Sequence, residues 1–128
     1  MKNEKLGQGI FRDTLSQKSF TFSLRIIKLY LFLKENHKEY ILSKQILRSG
    51  TAIGAMVQES HFAQSKADFI NKLSIALKEA NETRYWLYLL VESDFIQSHM
   101  FESILPDIEE LIKLLISSTK TAKSNHAR

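Results

Sequence analysis

Two glutamates, Glu79 and Glu82, lie one helical turn apart and are the clearest candidates for acid–base chemistry. A pair of carboxylates can act as general acid and base when a cleft gives its members different proton affinities. Nothing else in the sequence indicates such a cleft. The alternative is structural: Arg48, on the preceding helix, would form a partly buried bidentate ion pair with the two carboxylates.

The spacing of histidines and carboxylates argues against a metal centre. Carboxylate-bridged centres in four-helix bundles need Glu-x-x-His on two helices. The four histidines, His37, His61, His99 and His126, lie near predicted helix ends or in turns, and His99 precedes Glu102 in the reverse order. The absence of cysteine also excludes disulfides, thiol catalysis and Cys-based zinc sites. We therefore expect no enzyme activity, no metal and no cofactor.

Aromatic and small residues offer two further kinds of chemistry. Tyr85, Trp86 and Tyr88 could stack on single-stranded nucleic acid, but aromatic residues at helical spacing more often belong to a core or interface. The small-residue segment SGTAIGA, residues 49–55, lacks the Lys-Ser/Thr of a phosphate-binding loop and follows no predicted strand. Because each Gly costs a helix about 1 kcal/mol relative to Ala, this segment predicts close approach of another helix.

These residues fall on four predicted helices. The chain has 128 residues, one Pro, four Gly, 44% hydrophobic and 25% charged residues, which is typical of one soluble domain. Short connections between long helices indicate antiparallel neighbours, so we predict an all-α, up-down-up-down four-helix bundle. The predicted parts are a flexible arm over residues 1–17, helices over about 18–36, 43–62, 66–93 and 98–121, and a frayed tail over 122–128.

Capping residues set the expected helix ends. Ser43 and Ser65 are predicted N-caps of the second and third helices. The fourth helix can begin at Ser98 or at Ser103. Pro106 is tolerated in a first turn capped by Ser103, and it bends the helix if the helix begins earlier.

The first and third helices have more apolar surface than one bundle can bury. The first helix has two stripes on nearly opposite sides, Phe20, Leu24, Ile27 and Leu31 on one and Phe22, Ile26, Leu29 and Leu33 on the other. The third has a core stripe of Phe69, Leu73, Ala76, Ala80, Thr83, Leu87 and Leu90. A helix with two apolar faces lies between two partners. We therefore predict self-association, with Phe22, Ile26, Trp86 and Leu89 contacting another subunit.

Basic residues are concentrated in the first half of the chain. Residues 1–64 contain ten Lys/Arg and five Asp/Glu, whereas residues 65–128 contain eight and nine. Candidates for phosphate contacts on the first two helices are Lys18, Arg25, Lys28, Lys34, Lys38 and Lys44. The alternative is a solvated face. No segment resembles an export signal or a membrane span, so we expect a cytoplasmic protein without a membrane partner.

Two segments carry a family resemblance: QILRSGTAIGAMVQES, residues 45–60, and SKADFINKLSIALKEANETRYWLYLL, residues 65–90. They resemble bacterial four-helix-bundle proteins encoded in intervening sequences of 23S ribosomal RNA genes, and the related Avd-like accessory proteins of diversity-generating retroelements. The resemblance implies a homopentamer around a central channel, with a basic surface for RNA or DNA and no enzymatic activity. The matching motif positions, which it assigns to folding and assembly, are Arg48, Glu79, Glu82, Tyr85 and Trp86.

The resulting hypothesis is a non-enzymatic homo-oligomer that binds RNA or DNA through phosphate contacts. It would associate with ribosomal RNA or serve as accessory to a nucleic-acid enzyme. The alternative is an oligomeric scaffold that binds only protein.

Overall fold

The computed structural model describes residue 11 and residues 13–127. Within this part of the chain there are four α-helices and no strand: α1 (Thr14–His37), α2 (Leu42–Ser60), α3 (Lys66–Glu92) and α4 (Ser98–Ala127). Each helix packs against the next, and α4 packs more sparsely against α1. The predicted all-α four-helix bundle is confirmed. None of the described helices is long and apolar enough to cross a membrane.

One hydrophobic core runs through the bundle. Its largest fully buried side chains are Phe22, Ile26, Leu33, Ile46, Ile53, Val57, Leu73, Leu87, Leu90, Ile108, Leu111 and Leu115. The predicted core stripe of α3 is confirmed, because its members from Leu73 to Leu90 are buried and Phe69 packs at the edge of the core. The helical spacing of apolar residues therefore identified the inner face of α3 correctly.

The assignment of Phe22 and Ile26 to a subunit interface is wrong. Their exposed fractions are 2% and 0%, so both belong to the core. The stripe that faces outward on α1 is instead Phe20, Leu24, Ile27 and Leu31, which we call the outer apolar stripe. The physical reason lies on α2, where Gly50 leaves space that the side chain of Ile26 fills.

The small-residue segment of α2 brings α1 and α2 close together, as predicted. A Cβ atom built on Gly50 would lie 2.7 Å from Cγ1 of Ile26. One turn further along α2, a Cβ on Gly54 would lie 3.4 Å from the backbone oxygen of Ser19. Gly50 therefore permits a helix separation that a larger residue would prevent, whereas a Cβ atom at Gly54 would stand at ordinary contact distance.

The first and last helices are longer than predicted. The Asp13 carboxylate accepts a hydrogen bond from the Ser16 N–H at 3.0 Å, and this N-cap starts α1 at Thr14. Residues 14–17 of the predicted arm are therefore helical, whereas residues 1–10 and 12 lie outside the described part. At the other end α4 continues to Ala127, so residues 122–127 are helical instead of a frayed tail.

The start of α2 differs from the prediction in its cap. Ser43 is not the N-cap, because α2 begins at Leu42 and the preceding Ile41 makes no side-chain cap bond. Instead, the Glu39 carboxylate accepts the N–H groups of Leu42 at 3.0 Å and Ser43 at 2.7 Å. Burial alone would raise the pKa of Glu39, but these N–H donors lower it below its ordinary value.

Ser65 is the N-cap of α3, as predicted, and accepts a hydrogen bond from the Asp68 N–H at 3.0 Å. Helix α4 begins at Ser98, so Pro106 lies inside the helix and Ser103 is not its cap. Without an N–H, Pro106 cannot donate to the carbonyl of Glu102.

Candidate functional site

The motif residues Arg48, Glu79 and Glu82 form one ion-pair cluster between α2 and α3. One guanidinium nitrogen of Arg48 donates to Glu79 Oε1 at 3.1 Å, and the other donates to Glu82 Oε2. The Trp86 indole N–H donates to the same Glu82 oxygen at 3.0 Å. The predicted ion pair is confirmed. Its carboxylates are partly buried, with exposed side-chain fractions of 17% for Glu79 and 30% for Glu82.

The electrostatics of this cluster favour a structural role. The hydrogen bond from Trp86 lowers the pKa of Glu82 most strongly, partial burial opposes it, and Arg48 lowers it further. Glu82 is therefore ionised at neutral pH and has no proton to donate. Both carboxylates already accept hydrogen bonds from Arg48, so the arrangement joins two helices and does not create a free acid–base pair.

Sequence reasoning missed a buried hydroxyl pair beside this cluster. Thr83 Oγ1 of α3 donates to Ser49 Oγ of α2 at 2.8 Å, and both residues are 0% exposed. Thr83 was predicted only as a core position. The signal available in the sequence was a Thr within an otherwise apolar stripe, because a buried hydroxyl needs a hydrogen-bond partner.

A second missed cluster contains Asp13, Ser16 and His61. His61 Nε2 lies 2.9 Å from Ser16 Oγ and 3.4 Å from Asp13 Oδ1. In a catalytic triad the carboxylate contacts one ring nitrogen and the serine contacts the other. Here both partners contact Nε2, so Asp13 does not orient His61 toward Ser16. The cluster instead connects the start of α1 to the residue that follows α2.

The other histidines of the described part of the chain do not assemble a metal site. No group of three His, Cys, Asp or Glu among the described residues could hold a metal ion. The His37 ring lies between the rings of Phe32 and Phe95, with centroid distances of 5.5 and 5.6 Å. His99 lies on the surface, and the side chain of His126 is outside the described part.

The six predicted phosphate-binding residues fall into two groups. Lys18 and Arg25 form ion pairs with Glu110 at 3.3 Å and Asp107 at 2.7 Å, which balance their charges locally. Lys34 lies 5.1 Å from the centroid of the Tyr30 ring, and Lys38 donates to the Glu35 carbonyl. Lys28 and Lys44 are exposed and have no ion pair or hydrogen bond among the described residues. The last four residues therefore carry the positive charge that α1, α2 and their turn present to solvent.

The three candidate stacking residues of α3 differ in their exposure to solvent. Trp86 is half-buried and hydrogen-bonded to Glu82, so it is not free to stack on a base. Tyr85 and Tyr88 are 58% and 45% exposed. Leu89 is half-buried beside them. The predicted contacts of Trp86 and Leu89 with another subunit, and the assembly role that the resemblance implies for Tyr85, stay predictions.

The outer apolar stripe of α1 leaves neighbouring apolar side chains exposed in the described part of the chain. Leu24, Ile27 and Leu31 are 39%, 40% and 42% exposed and span two helical turns. Phe20 extends the stripe, and beside it an apolar cavity of about 320 Å³ opens between α1 and α2 over Gly54. Contiguous exposed apolar surface is a common feature of protein interaction sites.

Comparison with known proteins gives a consistent result. The family model described as 23S rRNA-intervening sequence protein matches residues 14–117. The structure is similar to the crystal structure of a protein of unknown function from the S23 ribosomal protein family of Bacteroides thetaiotaomicron, with a TM-score of 0.83 and 56% sequence identity. The match covers 84% of this chain and 99% of that one. No curated protein matches this chain.

Proposed function

The chain belongs to the 23S rRNA-intervening sequence protein family, and from this premise we propose that it is a non-enzymatic homo-oligomer whose combined basic surface binds RNA or DNA. The proposal has two parts, self-association and phosphate contact. Self-association is the more strongly supported part, and the outer apolar stripe of α1 is the observation that carries it.

Covering this stripe stabilises an assembly. Leu24, Ile27 and Leu31 each leave about two fifths of their surface in water. Complete burial of one Leu or Ile side chain contributes roughly 1.5–3 kcal/mol, so burying the exposed two fifths of three such side chains contributes roughly 2–4 kcal/mol to each contact. The adjacent cavity over Gly54 gives a partner side chain a place to insert.

The position of a second apolar surface favours a ring over a two-fold dimer. Tyr85 and Tyr88 are exposed on α3, and α3 lies diagonally across the bundle from α1. Two different interaction surfaces on opposite corners suit head-to-tail contacts, which generate a closed ring or a filament. A ring of five is the number that the family resemblance implies, and we adopt it in the proposal.

Charge supports the second part of the proposal. Each chain has a formal net charge of +4, and residues 1–64 have twice as many Lys/Arg as Asp/Glu. Assembly adds the charges of all subunits, which turns a moderate charge into a field that attracts polyanions. Lys28 and Lys44 are exposed without local acidic partners and are therefore available to phosphates. Structured RNA, in a ribosomal context or with a nucleic-acid enzyme, is the proposed ligand class.

The test is binding of a structured RNA at about 50 mM and about 200 mM salt, measured by fluorescence anisotropy. We expect affinity to fall steeply with salt, and Lys28→Gln/Lys44→Gln to weaken binding at the lower concentration. The matched control is Lys113→Gln/Lys123→Gln, which removes two exposed lysines of α4 and should have a smaller effect.

A second candidate function is an oligomeric scaffold that binds only protein. The ion pairs that balance Lys18 and Arg25 favour it, because they reduce the positive charge facing α4. Absence of RNA binding at about 50 mM salt, together with an intact oligomer, would select this candidate over the first.

A further inference from the structure

An open groove lies where α1 meets the beginning of α4. Its volume is about 370 Å³, within the range of pockets that hold small molecules. Apolar side chains from both helices and from the turn before α4 form its floor: Leu29, Phe32, Ile96, Met100 and Ile104. The sparse packing of α1 against α4 leaves this seam of the bundle open.

The floor of the groove is continuous with the protein core. Leu29, Ile96 and Ile104 are 8%, 3% and 5% exposed, so the base of the groove is fixed by core packing. Phe32 and Met100 are half-buried and complete the floor at its more exposed edge. An apolar ligand body placed there would cover hydrophobic surface that water now contacts.

The rim of the groove carries two basic side chains. Arg25 and Lys28 line it beside His99, and none of the described residues that line it is acidic. Arg25 is held by Asp107 at 2.7 Å and by Ser103 Oγ at 2.8 Å. Lys28 and His99 are exposed and make no such contact among the described residues. Lys28 is therefore a cation without an acidic partner among the described residues, and it lies beside the apolar floor of the groove.

We propose that this groove binds a small amphipathic anion, a carboxylate with a medium-length alkyl or an aryl body. The carboxylate lies at Lys28 and His99, and the apolar body lies between Phe32 and Met100. This assignment does not depend on nucleic-acid binding, because its apolar floor has no role in phosphate contact.

The composition of the groove favours this ligand class over a nucleobase. A buried base needs hydrogen-bond partners along its edge. Apart from the cations, the groove offers only the His99 ring and Ser103, whose Oγ already accepts a hydrogen bond from Arg25. An alkyl or aryl body has no polar edge to satisfy and suits the aliphatic floor.

The experiment titrates the full chain with decanoate, below its micelle concentration, and with decanol as the uncharged probe. Isothermal titration calorimetry measures both affinities. We expect saturable decanoate binding, weaker decanol binding, and a loss of about three- to fivefold in decanoate affinity for Lys28→Gln. Lys123→Gln, which removes an exposed lysine near the end of α4, outside the groove, should leave the affinity unchanged.

Filling the groove provides the second arm. Met100→Phe and Met100→Trp, made as two separate variants, should each reduce decanoate binding while circular dichroism shows unchanged helix content. If one of the two loses helix content, the other variant and Lys28→Gln provide the test. Absence of decanoate binding, or equal affinity in the wild-type and filled proteins, would overturn the proposal. So would a change in solution mass caused by the filled groove, because that result would make the groove a contact between copies of the chain.

Discussion

Gly50 of α2 lies directly against Ile26 of α1. A Cβ atom on Gly50 would stand 2.7 Å from Cγ1 and 2.9 Å from Cγ2 of Ile26, closer than side-chain atoms approach one another. Ile26 is 0% exposed, and these are atoms at the branch point of its side chain, so they cannot swing away. This contact determines which apolar stripe of α1 faces the core.

Gly50→Ala is therefore expected to destabilise the protein. Alanine improves helix propensity by about 1 kcal/mol, but overpacking against Ile26 costs about 1–3 kcal/mol and outweighs it. Urea unfolding followed by circular dichroism measures the difference. The control is Gly54→Ala, whose Cβ would make ordinary contacts at 3.4 Å and whose stability should equal or exceed the wild type. Equal stability of Gly50→Ala and wild type would refute the close contact.

The Glu82 carboxylate makes stability depend on pH in the acidic range. Its folded-state pKa is below the ordinary value of 4.5, first because of the Trp86 hydrogen bond and then because of Arg48. The ionised carboxylate therefore stabilises the fold fully above about pH 4.5, and this contribution is lost as pH falls through the lower folded-state pKa. Glu82→Gln should reduce the unfolding free energy by about 1 kcal/mol at neutral pH and by less in strong acid.

Unfolding of Glu82→Gln and wild type at neutral pH and well below pH 4.5 tests this expectation. Glu102→Gln is the control, because Glu102 is exposed and has no hydrogen bond or ion pair among the described residues. A difference between Glu82→Gln and wild type that stays constant across this range would show that the ion pair does not carry the pH dependence.

The Glu39 side chain is expected to cap the first turn of α2. Its carboxylate accepts the N–H groups of Leu42 and Ser43 in the first turn, where helix donors lack internal partners. Glu39→Ala should cost about 1 kcal/mol of unfolding free energy, as the loss of an N-cap does. Glu35→Ala, in the last turns of α1, serves as the control because the Glu35 side chain makes no such bond among the described residues. Similar losses in both variants would contradict the capping role.

Arg25 is expected to hold α1 against α4. It donates to the Ser103 carbonyl at 3.1 Å, to Ser103 Oγ and to Asp107. Lysine cannot make this planar set of contacts, so Arg25→Lys should lower stability by up to about 1 kcal/mol, given its partial exposure. Arg84→Lys, at an ion pair of 4.0 Å with Glu109, should have a smaller effect. Thermal unfolding of the two variants compares them directly.

The sequence was sufficient to predict the four helices and the core-facing side of α3, but not the core-facing side of α1. In α3 the apolar stripe from Leu73 to Leu90 differs clearly from the polar positions, so its core face was predictable. In α1, both stripes are apolar, and periodicity alone cannot rank them. Their ranking depends on the shape of α2 at Gly50, which is a tertiary property.

The side-chain clusters also differ in whether the sequence predicts them. The pairing of Arg48 with Glu79 and Glu82 was predictable, because the spacing placed opposite charges on facing helices. The cluster of Ser16 with His61 was not, since it joins residues far apart in sequence whose neighbourhood depends on how α1 and α2 pack. The cap at Asp13 was predictable in principle, because Asp is a preferred N-cap residue.

The most direct test of self-association is the solution mass, measured by sedimentation at low protein concentration. We expect the wild-type chain to sediment as an oligomer, with about five times the 14.8 kDa mass of one chain. Ile27→Lys, in the outer apolar stripe, should dissociate it, whereas Ile41→Lys, at an exposed position before α2, should not. A wild-type mass of 14.8 kDa would contradict the account.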